Sequence, residues 1–134
     1  MPTITAGSLD TPVRDFMTPG VVSITDDASL AQVFRAMRKH HLHALLVVGG
    51  KHGWPLGWVT ADGLLAWIGE DRRLAHAQDA ITERANTIES HASAREALRL
   101  LSQPDTTHLL VVRGQDSVPE GVVSAVDLIA LDCG

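Results

Sequence analysis

Apolar positions along this chain recur at two spacings, and the spacings alternate. Leu30, Val33, Phe34 and Met37 fall at i, i+3, i+4 and i+7, the stripe of an amphipathic helix. Ser29 and Gln32 stand just ahead of it at capping-box spacing. Arg35, Arg38 and Lys39 lie on the far face, which suits solvent and the negative end of the helix dipole. The pattern then tightens to an unbroken apolar run, Ala44 to Val48, that predicts a buried strand. Gly49, Gly50 and Gly53 supply a turn, and Leu56 to Thr60 predicts a returning strand, so 44–60 reads as a hairpin. A shorter strand is expected over 21–24. Leu64, Leu65, Trp67 and Ile68 predict a short apolar helix, followed by a charged connector, Gly69 to Arg73.

The same order returns 64 residues later without a gap, and residues 13–68 aligned on 77–132 are identical at 17 of 56 positions. Ser93 and Glu96 repeat the capping box. Ala94, Ala97, Leu98 and Leu101 repeat the stripe, which Pro104 ends. Leu109 to Val112 copies Leu45 to Val48, and Gly121-Val122-Val123-Ser124-Ala125-Val126-Asp127-Leu128 copies Gly57-Trp58-Val59-Thr60-Ala61-Asp62-Gly63-Leu64. The chain therefore divides into a leader over 1–12, a repeat over 13–68, a connector over 69–76 and a second repeat over 77–132. The expected class is α/β: two β-α-β-β-α units related by a pseudo-twofold axis, burying their sheets against each other. One copy alone would struggle to close a core.

Composition narrows the reading. A chain of 134 residues, 45% hydrophobic and 20% charged, suits one globular module. A net charge of −5 argues against a nucleic-acid partner. The longest apolar run is far too short to span a membrane. The one cysteine, Cys133, leaves no intramolecular disulfide, which fits a reducing, cytoplasmic setting. No nucleophile stands with an identifiable base and no phosphate-loop motif occurs, so a non-enzymatic protein is expected.

Three elements together resemble the tandem cystathionine-β-synthase (CBS) domain family, whose paired unit is called a Bateman module. They are the opening Val13-Arg14-Asp15-Phe16-Met17-Thr18 with its weaker copy from Ala77, the strands ending Leu45 to Val48 and Leu109 to Val112, and the Gly-x-x-Ser/Thr before each apolar helix. The resemblance covers about nine-tenths of the chain. It departs from the family at Leu46 and Leu110, where proline is frequent, and at Gly63, where the first repeat lacks the acid that Asp127 supplies to the second.

The resemblance implies a small regulatory module that binds AMP, ADP, ATP or S-adenosylmethionine between the repeats and signals to a protein partner. No cofactor is required. The complete site would use Thr18, Val22, His43, Ala44, Thr107, Ser124 and Asp127, with Val22 as an apolar wall and backbone groups near His43 and Ala44 reading the base. A degenerate site, expected to be weak or empty, would use Thr60, Asp62, Thr82, Asn86 and His108. Physically, the start of a helix after Ser124 suits a phosphate, and an ionised Asp127 suits ribose hydroxyls. Ser-x-x-Asp is equally a helix cap, and the rival reading is an interaction module without a ligand. His40, His41 and His43 are read as helix-end residues rather than metal ligands. Trp67, Ile68, Leu128 and Leu131 are candidates for a homodimer face.

Overall fold

The computed structural model describes residues 9–114 and 118–133, without the side chains of Asp132 and Cys133. Most of the expected leader, and the role of the Cys133 thiol, fall outside that description. In chain order the elements are β1 (Thr18–Pro19), β2 (Ser23–Thr25), α1 (Leu30–His40), β3 (Ala44–Gly49), β4 (Trp54–Thr60), α2 (Ala61–Leu64), β5 (Thr87–Glu89), α3 (Ala94–Leu101), β6 (His108–Arg113), β7 (Val118–Ser124) and α4 (Ala125–Cys133). Single 3₁₀ turns cover Val13–Asp15, Leu65–Trp67 and Ala77–Ala80. The class is α/β, with two sheets and four helices among the described residues.

Local chemistry accounts for most boundaries. Ser29 and Gln32 close the full capping box at the start of α1, with bonds of 3.2 and 2.9 Å. The second box closes only half. Ser93 Oγ accepts the Glu96 N–H, but the Glu96 carboxylate turns outward to Arg99 at 2.6 and 2.8 Å. The charged fork outcompetes a single backbone N–H. α1 ends where His41 adopts the left-handed conformation, φ 53°, and its N–H donates back to the last turn. The apolar helix expected over 64–68 starts earlier and is shorter. Thr60 caps it at 61, and after Leu64 it tightens into the 3₁₀ turn.

The chain forms two units, and each cuts across the sequence repeat. One is contiguous, residues 22–85. The other is split, joining the residues up to 21 to those from 86 onward.

In the contiguous unit, β3 lies between parallel β2 and antiparallel β4. Leu30, Val33 and Met37 of α1 pack on Leu45, Val47 and Val59. Residues 75–77 run antiparallel to the entry of α1: Leu30 N–H donates to the Ala75 carbonyl (3.1 Å) and Ala77 N–H to that of Ala28 (2.8 Å). The Arg72 guanidinium lies 4.2 Å from the centroid of the Phe34 ring.

In the split unit the strand order is β1-β7-β6-β5. Val13, fully buried, packs with Ile88, Ala97, Leu109, Val111 and Val123. Thr11 and Val13 repeat the docking of 75–77. The Thr11 carbonyl accepts Ala94 N–H and Val13 N–H donates to the Ala92 carbonyl, both at 2.8 Å.

One difference breaks the repeat. Thr18 lies opposite Val122 on β7. Opposite Trp58, the counterpart of Val122 on β4, stand two residues: its carbonyl accepts Thr82 N–H at 3.0 Å and its N–H donates to the Glu83 carbonyl at 2.9 Å. The contiguous unit thus carries one extra residue at this point, a bulge that an ungapped alignment cannot reveal. Both crossings run close over a glycine. A Cβ on Gly121 would fall 2.5 Å from the Thr18 carbonyl, and one on Gly57 2.7 Å from that of Glu83.

Because Val13 is a core residue of the split unit, Val13→Ala is expected to lower the stability of the protein by about 2 kcal/mol. Denaturant unfolding measures this. A loss below about 0.5 kcal/mol, the size of an ordinary surface change, would show that the segment contributes no core.

Candidate functional site

In the split unit, β7 delivers Ser124 to the first turn of α4. Asp127 then bends back. Its Oδ2 accepts the Ser124 N–H at 2.8 Å and lies 3.3 Å from the Ser124 Oγ. This is the returning half of a capping box, made by an aspartate. The cap reading of Ser-x-x-Asp is therefore realised. It leaves room for a ligand, because an ionised carboxylate offers about four acceptor positions. Asp127 and Ser124 are both half-buried.

Neighbouring strands bring further candidates to the same end of this sheet. Thr18 on β1 sits opposite Val122, and His108 on β6 opposite Ser124. The Thr107 hydroxyl lies 2.8 Å from His108 Nδ1. Asn86 carries a backbone bond, its carbonyl accepting Leu110 N–H at 2.9 Å. Its side-chain amide reaches the Thr106 hydroxyl at 3.5 Å, and that hydroxyl donates to the Pro104 carbonyl at 3.3 Å. Thr106 is buried, and sequence reasoning missed it. The signal was present at the offset of 64: Val22 and Leu42 become Asn86 and Thr106 together. The first pair packs against an apolar cluster, whereas the second is joined by a hydrogen bond.

The remaining candidates lie in the contiguous unit. Ala44 pairs with Thr60. The His43 carbonyl accepts Ala61 N–H at 2.9 Å and the Val22 carbonyl accepts Leu46 N–H at 3.2 Å. These carbonyls are committed to the sheet and to the start of α2, so only a second lone pair remains for any base edge. The imidazole of His43 is exposed, as is Asp62. Thr60 Oγ1 accepts Gly63 N–H at 3.1 Å and lies 3.2 Å from Thr82 Oγ1. Here the hydroxyl caps the amide three residues ahead, whereas after β7 the carboxylate caps the amide three residues back. The seven residues of the complete set therefore fall four in the split unit (Thr18, Thr107, Ser124, Asp127) and three in the contiguous one (Val22, His43, Ala44).

The CBS domain model matches residues 13–70 and 77–133, most of the chain. The chain belongs to the CBS domain family. Modules of this family are generally regulatory rather than catalytic. The CBS domain of a bacterial CNNM/CorC-family Mg2+ transporter, in complex with an inhibitor, has a TM-score of 0.84 and 25% identity, covering 97% of this chain and 81% of that one. The same domain in complex with ATP gives 0.82 and 24%, covering 97% and 92%. CBSX2 in complex with AMP gives 0.71 and 20%, covering 89% and 93%. A curated relative, an uncharacterised protein of Methanocaldococcus jannaschii, is 26% identical over 90% of this chain. The CBS module spans 31% of that relative's length. No helix among the described residues is long and apolar enough to cross a membrane.

The cap makes a prediction independent of any ligand. Asp127→Ala leaves the Ser124 N–H without its charged acceptor and is expected to cost about 1 kcal/mol, the usual value of a helix cap. Thermal unfolding measures this. An unchanged midpoint would show that the 2.8 Å bond does not hold the helix start in solution.

Proposed function

We propose that this CBS module is a regulatory sensor. It binds an adenosine-containing ligand (AMP, ADP, ATP or S-adenosylmethionine) at the Ser124–Asp127 junction and passes the bound state to a protein partner. The observation that carries this reading is a half-buried hydroxyl and carboxylate held together at the start of α4, a nine-residue helix. The N–H groups of its first turn and its dipole favour a phosphate or another anionic group. The carboxylate suits the vicinal hydroxyls of ribose. Thr18 and Thr107, both exposed near the same sheet end, add hydroxyls. The ATP and AMP complexes of the relatives support the ligand class.

One observation favours the rival, an interaction module without a ligand: Asp127 already has a structural task. Titration with AMP, ADP, ATP and S-adenosylmethionine separates the two. A ligand at 100 times its dissociation constant is expected to stabilise the fold by about 2.7 kcal/mol. Asp127→Ala should then weaken binding about 10- to 100-fold, while the variant stays folded below its own melting point. A flat thermal and calorimetric response to all four compounds would give the module to the rival.

Self-association belongs to the same proposal. Val126 and Ile129 on α4, and Leu65 and Ile68 after α2, are all more than 60% exposed. Apolar positions this open on short helices suit a second copy. Light scattering at micromolar concentration is expected to give the mass of two chains, and a single-chain mass would refute the dimer.

A further inference from the structure

We infer that Thr82 shuts the strand–helix junction of the contiguous unit to a nucleoside, so that the module has one adenosine site and not two; this rests on the reading of Ser124–Asp127 as a ligand site. The missing acid at Gly63 is only half of the reason. The other half is the space that an acid would need.

By sequence, Thr82 is the counterpart of Thr18. In the fold it shares that place, because Thr82 and Glu83 both stand opposite Trp58 where Thr18 alone stands opposite Val122. The Thr82 N–H is fixed to the Trp58 carbonyl at 3.0 Å. Its side chain is carried against the start of α2, where Oγ1 lies 3.2 Å from Thr60 Oγ1. A Cβ on Gly63 would fall 2.6 Å from the Thr82 methyl, 3.3 Å from its hydroxyl and 3.1 Å from Thr60 Oγ1. Any side chain at 63 meets Thr82 before it can reach outward. A threonine is stiff about χ1, and the bond to Thr60 holds this one further. Thr60 in turn uses two of its three hydrogen-bonding positions on Gly63 and Thr82. The four-residue α2 also presents a weaker dipole than the nine-residue α4. The junction that lacks the carboxylate is thus also filled.

A pair of substitutions tests the contact without any ligand. Gly63 is helical and takes no left-handed φ, so Gly63→Ala would ordinarily raise the melting temperature. Here it is expected to lower it in the wild-type background and to raise it in a Thr82→Ala background. The same sign in both backgrounds would overturn the contact.

Calorimetry with AMP then tests the consequence. One site per wild-type chain is expected, still one in Gly63→Asp, and a weaker second one in Gly63→Asp with Thr82→Ala. Two sites in the wild type, a second site in Gly63→Asp alone, or none gained by the double variant would overturn the inference. A wild-type chain that binds no AMP would refute the parent reading for this ligand and with it the single-site claim, while the melting-temperature pair would still decide whether Thr82 fills the junction.

Discussion

The structure depends on a short antiparallel crossing made twice. In each unit, a segment from before the neighbouring repeat lays two backbone bonds across the entry to the amphipathic helix: Thr11 and Val13 on Ala94 and Ala92, Ala75 and Ala77 on Leu30 and Ala28. One bond of each pair satisfies an amide at a helix start, Ala94 or Leu30, that would otherwise lack an intrahelical partner. They also bring Val13 or Ala77 into a core that the repeat alone leaves open. What looks in the sequence like the end of a leader and of a connector is, at residues 11–12 and 75–76, part of the fold.

Further along, the same segments pass over the returning strands at Thr18 and Glu83, and this second crossing explains two glycines. Gly57 and Gly121 lie inside strands, where glycine is ordinarily a weak choice. Each has a backbone carbonyl of the crossing segment where its Cβ would stand. Side-chain repacking could not relieve that contact, since the clashing atom is main chain. The junctions differ in chemistry as well: a pair of hydroxyls, Thr60 and Thr82, stands in one unit where the hydroxyl–carboxylate pair of Ser124 and Asp127 stands in the other.

Much of this was legible in the residues. The stripe of Leu30, Val33 and Met37, the box of Ser29 and Gln32, and the hairpins all follow from spacing, because period and capping are local properties. The family was legible because a gapless duplication keeps its turn glycines. The exchange of partners between segments was not, since nothing local distinguishes Val13 as the core residue of a helix about 80 residues away. The extra residue at Glu83 was hidden for a related reason: the two repeats have the same sequence length. The capping role of Asp127 was legible as an alternative, and its bond to the Ser124 N–H is made.

The split of one unit has a consequence for synthesis. Domains tend to fold as units while the chain emerges, beginning from the N-terminus. Residues 22–85 form a contiguous unit and can close once that stretch has left the ribosome. Residues 9–21 emerge ahead of it but must wait for β7 and the cluster around Val123, more than 100 residues later. Within the module, then, the strand that carries Thr18 is paired only when the strand leading to Ser124 is complete.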